Sequence, residues 1–189
     1  WQQGTWDYII DNAHKGRIDT IVLDVNDGLE FATHPEISMN GAWSRKRVRD
    51  EIRKCRDMGI TLIPKLNFAT PHDLWLGEYA RMVSTNTYYR VANDLIKEVY
   101  DLFEKPEYIH LGMDEECYSV QTESPMCIIR GDNLLWHDIN YLFDITEKAG
   151  SRPWIWADYF WAYPEECIEK MPKSVVMCGW YYWKCYGEA

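Results

Sequence analysis

The sequence predicts an α/β protein whose parallel sheet is curved as part of a TIM (β/α)8 barrel. Five short apolar runs alternate with helix-patterned segments, each run is oily along one face, and polar or aromatic residues gather toward the C-terminal end of the other face. Runs that are hydrophobic nearly throughout suit parallel strands covered on both sides. A five-stranded doubly wound open sheet is the alternative, and the length of 189 residues suits it. A complete barrel needs about 250 residues, so only a partial one fits here. A doubly wound sheet would be comparably oily on both faces, so the strand faces favour the barrel.

The runs are "DTIVLDVND" (19–27), "ITLIPKLNF" (60–68), "EYIHLGMDE" (107–115), "RPWIWADYF" (152–160) and "SVVMCGWYY" (174–182). With a period of two, Val22, Asp24 and Asn26 share one face of the first, and Ile63, Lys65 and Asn67 one face of the second. The third places His110, Gly112 and Asp114 together. Trp154, Trp156 and Asp158 share a face of the fourth, and Val176, Cys178 and Trp180 of the fifth.

The intervening segments carry helix signals. Residues 5–13 stop before Gly16, and Ser44 is placed to cap a helix with Val48, Ile52 and Cys55 along its stripe and Gly59 at its end. Val91, Leu95, Val99 and Leu102 repeat at helical spacing within 88–104. Asp132 is placed to cap a helix with Leu135, Ile139, Leu142 and Ile145 inward, ending at Gly150, and Pro164 occupies a favoured first-turn position. No repeat or linker interrupts the order, so residues 1–189 read as a single domain.

Composition narrows the function. Hydrophobic residues make up 47 % of the chain, a globular proportion, and no run approaches the roughly 20 apolar residues of a membrane span. A net charge of -10 leaves no basic stripe for a nucleic-acid backbone. Ten Trp and thirteen Tyr suit both core packing and stacking on sugar faces. The six cysteines form no C-x-x-C pair and are expected to be mostly unpaired, buried thiols. The chain starts at Trp1 without Met, so the lack of a visible leader decides nothing about compartment.

The third run ends in three consecutive carboxylates, Asp114, Glu115 and Glu116. Asp114 continues the inward face and Glu115 follows where alternation gives way to a loop, so both can reach one cleft. Two neighbouring carboxylates, one protonated and one ionised, suit acid-catalysed cleavage of a glycosidic bond. Glu116 suits the N-terminus of a following helix. A metal set drawn from His110, Asp114, His72, Asp24 and Asp158 competes, but no compact His-x-His pair is present. No metal and no cofactor are expected.

"YIHLGMDEE" resembles the H-x-G-G-D-E strand end of glycoside hydrolase family 20, the β-N-acetylhexosaminidases, with Met113 in place of the second Gly. "LDVNDGLEFATHPEIS", "GITLIPKLNFATPH", "RPWIWADYF" and "VVMCGW" resemble that family's second, third, fifth and sixth barrel strands in the same order. The resemblance implies about strands two to six of the barrel. It also implies a retaining, substrate-assisted reaction on terminal N-acetyl-hexosamine. In it the sugar's acetamido oxygen is the nucleophile, Asp114 orients the acetamido group and Glu115 is the general acid and base. Asp27 and His72 match the acid and histidine that support the catalytic Glu, and Trp156 and Trp180 match two walls of the acetamido pocket. His110 is expected to buttress its strand.

Lys65 and Asn67 stand where the family has Glu and Asp, which takes negative charge out of that part of the pocket. The remaining strands are expected from a longer parent chain or a partner segment. The resemblance leans toward a secreted or periplasmic setting and a carbohydrate partner. A non-catalytic carbohydrate-binding relative, and another barrel glycosidase using an Asp-Glu pair on acetamido sugars, are the alternatives.

Overall fold

The computed structural model describes residues 2–123 and 128–180. It contains five strands, β1 (Thr20–Asp24), β2 (Thr61–Lys65), β3 (Tyr108–His110), β4 (Arg152–Trp156) and β5 (Val176–Cys178). Every neighbouring pair is parallel and the spatial order is β1-β2-β3-β4-β5. A doubly wound sheet reverses direction at a switch point, and this one never does. Crossovers of one hand between strands that always advance the same way bring the intervening helices onto one face.

After α1 (Gln3–Lys15), which precedes β1, the helices between the strands are α2 (Arg45–Asp57), α3 (Asn86–Leu102), α4 (Tyr118–Gln121), α5 (Asp132–Ala149), α6 (Asp158–Ala162) and α7 (Pro164–Lys170). Helix α2 packs on β2 and α3, α3 on α5, and α5 on β4. The caps are local chemistry. Ser44 Oγ accepts the Arg47 amide at 3.3 Å and Thr85 Oγ1 the Tyr88 amide at 3.2 Å, contributions of about 1 kcal/mol each. Gly150 ends α5 with φ 113°, a left-handed position that glycine occupies without strain. The cap position of α5 is Gly131, one residue before the expected Asp132.

Val91, Leu95, Val99 and Leu102 of α3 are all buried, as their spacing predicts. They join Leu23, Leu62, Ile109, Leu111 and Ile155 from the helix-facing side of the strands in one core. The opposite side of the sheet carries a continuous row. Asp24 is in register with Lys65, Lys65 with His110, His110 with Trp154 and Trp154 with Val176, so these five side chains form one layer across all strands. This is the polar and aromatic face that the sequence alternation assigned.

Two strands end sooner than alternation suggests. β4 stops at Trp156, and Asp158 opens α6 instead of continuing the strand. β3 pairs only to His110, although backbone hydrogen bonds continue through Leu111 and Gly112. Beyond them Gly112, Met113 and Glu115 take φ of 74°, 67° and 61°. A turn, and not an extended strand, therefore presents Asp114 and Glu115. Cys55, Cys117, Cys167 and Cys178 are free thiols. Cys127, Cys185 and the last two residues of the fifth sequence run lie outside the described residues.

Candidate active site

The carboxylates of Asp114 and Glu115 meet at one nitrogen. His72 Nε2 lies 3.3 Å from Asp114 Oδ2 and 3.2 Å from Glu115 Oε2, so the two oxygens are no further apart than the sum of those distances. His72 belongs to a 3-10 segment, Thr70–Tyr79, that follows β2. Side-chain exposure is 21 % for Asp114, 37 % for His72 and 44 % for Glu115, so Glu115 is the most open to solvent and to a leaving group. The left-handed φ values of Met113 and Glu115 cost of order 1 kcal/mol or more each, so the surrounding contacts must hold the turn.

Several of those contacts are visible. Asn67 Nδ2 donates to Asp114 Oδ1 at 2.8 Å, and the Glu115 amide donates to Asp158 Oδ2 at 2.7 Å. Burial pushes the Asp114 carboxyl upward, but the hydrogen bonds from His72 and Asn67 and the His72 charge outweigh it and hold the group below its ordinary value. The same Asp114 hydrogen bond raises His72, against its burial. Asp158 is pushed up by burial, with the Glu115 amide opposing. The turn after β3 therefore carries an ionised carboxylate and a solvent-open carboxyl group, and the segment after β2 brings a histidine biased toward its cation against both.

His110 is fully buried, and its Nδ1 accepts the Gly112 amide at 3.0 Å. Burial and the nearby Lys65 charge lower its pKa to about 3, so it is neutral and buttresses the turn. Trp156 packs on it with ring centroids 4.6 Å apart. Lys65 Nζ sits 5.5 Å from the Trp156 ring centroid and pairs with Asp24 Oδ2 at 2.8 Å. Trp180 packs on Trp161 at 5.3 Å and also hydrogen-bonds Asp158. Asp27 lies in the 3-10 turn Asn26–Gly28 after β1, outside the hydrogen-bonded set around His72.

Glu116 corrects an expectation. It does not cap a helix; it is buried, accepts the Thr70 amide at 2.7 Å and pairs with Arg130 at 2.7 Å. Arg130 in turn pairs with Asp138 of α5 at 2.8 Å. A carboxylate at that depth is stable only with such partners, which outweigh a solvated helix end. Sequence reasoning missed Arg130, the Asn26 contact and the Asn67–Asp114 hydrogen bond. The only available signal was a polar residue at the end of an otherwise apolar run. Among the described residues, no group of three or more His, Cys, Asp or Glu could hold a metal ion. No helix among them is long and apolar enough to cross a membrane.

The sheet order defines one run of consecutive β/α units from a parallel barrel, with a cluster of acids at its C-terminal end. No protein-family profile and no curated protein matches the sequence. Solved structures do match. The chain is similar to a β-N-acetylhexosaminidase of Bacteroides fragilis, with TM-score 0.71 and 17 % identity over 94 % of this chain and 41 % of that one. It is also similar to the glycoside hydrolase family 20 exo-β-N-acetylglucosaminidase of Vibrio harveyi, solved with N-acetylglucosamine (TM-score 0.68, 20 % identity, 93 % and 35 % coverage). The family 20 β-N-acetylhexosaminidase of Streptomyces coelicolor A3(2) gives 0.69 and 12 %, with 92 % and 38 % coverage. At these identities the likeness is one of fold: a partial α/β barrel spanning well under half the length of these three structures.

Proposed function

We propose that this chain is part of the catalytic barrel of a retaining glycoside hydrolase that removes terminal N-acetyl-hexosamine by substrate-assisted catalysis. The observation that supports the reading most directly is the single His72 nitrogen between Asp114 and Glu115. Asp114, ionised and held by Asn67, accepts the acetamido N–H and fixes the amide so that its oxygen attacks the anomeric carbon. Positive charge then spreads over the cyclised group beside a carboxylate, which stabilises it. Glu115 gives its proton to the departing oxygen. It next takes a proton from the water that opens the ring, and the configuration is retained.

His72 gives Glu115 a nearby cation when the carboxyl group ionises; Asp27, outside the hydrogen bonds around His72, has a supporting part only by the family resemblance. Asp158 restrains the Glu115 backbone, and Trp156 and Trp180 provide walls for the acetamido group. The test compares an aryl N-acetyl-glucosaminide with the matching 2-hydroxy glucoside in the intact protein. A large preference for the acetamido substrate is expected; equal rates rule out participation by that group.

Lys65 favours a second reading, a non-catalytic carbohydrate-binding relative, because its cation lies against Trp156 on the inner face. Saturable binding of N-acetylglucosamine without hydrolysis of either glycoside would select it.

A further inference from the structure

Asp114 depends on a second residue as closely as on His72. Asn67 is 4 % exposed, and its amide can point only one way. The Ala69 amide donates to Asn67 Oδ1 at 3.1 Å, which leaves Nδ2 to face Asp114 Oδ1 at 2.8 Å; a flipped amide would set donor against donor and acceptor against acceptor. The backbone is clamped as well. The Asn67 amide donates to Asn26 Oδ1 at 2.9 Å, and Trp75 Nε1 donates to the Asn67 carbonyl at 2.6 Å. From the other side Gly112 closes the gap: a Cβ there would come within 2.0 Å of Asn67 Oδ1.

We propose that Asn67 is the positioning residue that holds Asp114 as an ionised, acceptor-only carboxylate at the reaction centre. This rests on the hydrolase reading above. An amide donates without a removable proton, so the bond to Asp114 persists at every working pH. The other charged or titratable groups facing Asp114 are His72 on the 3-10 segment, Glu115 on the same turn, Lys65 on β2, His110 on β3 and Asp158 on α6. Of these, only His72 hydrogen-bonds the Asp114 carboxylate, and it loses its charge as the pH rises. Asn67 is therefore the contact that does not titrate.

Two variants separate positioning from packing. In Asn67→Asp two carboxylate oxygens face each other, and one shared proton can replace the amide hydrogen. Carboxylate pairs of this kind lose the second proton at about pH 5, so the ratio of variant to wild-type kcat/KM should fall by up to about tenfold per pH unit as pH rises above that value. In Asn67→Ala the donor is simply gone, so Asp114 ionises less readily and the acid limb should move up in pH. Equal loss at every pH in both variants would overturn the proposal. A titration of the 13C-labelled aspartate carboxyls supplies a readout independent of turnover. If wild type hydrolyses no acetamido glycoside, the hydrolase reading falls. Asn67 is still judged by whether Asn67→Asp gives a coupled two-step titration at Asp114, and a wild-type-like Asp114 curve in that variant sinks it.

Discussion

Arg130 and Glu116 form a buried ion pair, 2.7 Å long with each side chain 1 % exposed, directly behind the turn that carries Glu115. Glu116 also accepts the amide and hydroxyl of Thr70, the first residue of the segment that bears His72. One pair thus ties together the two backbone segments that supply the candidate catalytic groups. Arg130→Met leaves both Glu116 and Asp138 without their counter-ion, and a loss of about 3–5 kcal/mol is expected. Adding Glu116→Leu to Arg130→Met should recover part of it. Denaturant unfolding measures both, and a loss under about 1 kcal/mol for the single variant would refute the role.

Gly112→Ala tests the tightness of the turn. The residue has φ 74°, and the added methyl would collide with Asn67. Strain of about 1–3 kcal/mol is expected from the backbone alone, together with loss of activity as the amide is pushed off Asp114. Wild-type activity and Tm in this variant would contradict the geometry.

The stability contributed by His72 depends on pH in a defined direction. Its hydrogen bond to Asp114, and the charges of Asp114 and Glu115, raise its folded value above 6.5 despite burial. A group raised on folding contributes stability that is fully present below its unfolded value and is lost as pH climbs through the folded one. The Tm advantage of wild type over His72→Asn should therefore be largest between about pH 5 and 6.5 and shrink above that window. An advantage that grows with pH would reverse the assignment.

Glu115→Gln and Asp114→Asn should fail differently. Without its proton donor Glu115→Gln should lose about 10² to 10⁴-fold on glycosides with poor leaving groups, while an activated aryl glycoside partly survives. Asp114→Asn should slow every acetamido substrate, whatever its leaving group, and weaken binding of a thiazoline mimic of the cyclised intermediate. Rate constants across a leaving-group series decide the matter. Parallel loss in both variants on every substrate would remove the division of labour.

The sequence by itself determined which runs become strands, which face of each meets the helices, and that acidic residues collect at one end of the sheet. Those properties follow from periods of 2 and 3.6 residues, which are local and survive without knowledge of partners. Val91, Leu95, Val99 and Leu102 could be assigned to the core for that reason. The extent of β3 and β4 could not, because Asp114 and Asp158 leave the strand period when the chain turns to make specific hydrogen bonds. The resemblance set His72 beside Glu115, but tertiary structure alone decided that the same nitrogen also reaches Asp114 and that Lys65 finds Asp24. It also turned Asn67, 47 residues before Asp114, into that carboxylate's donor. It sent Glu116 inward to Arg130 as well. Each pairing depends on where parallel strands and their loops set distant residues side by side, and on the cost of leaving a buried charge or amide without a partner. Neither is written in the spacing of a single segment.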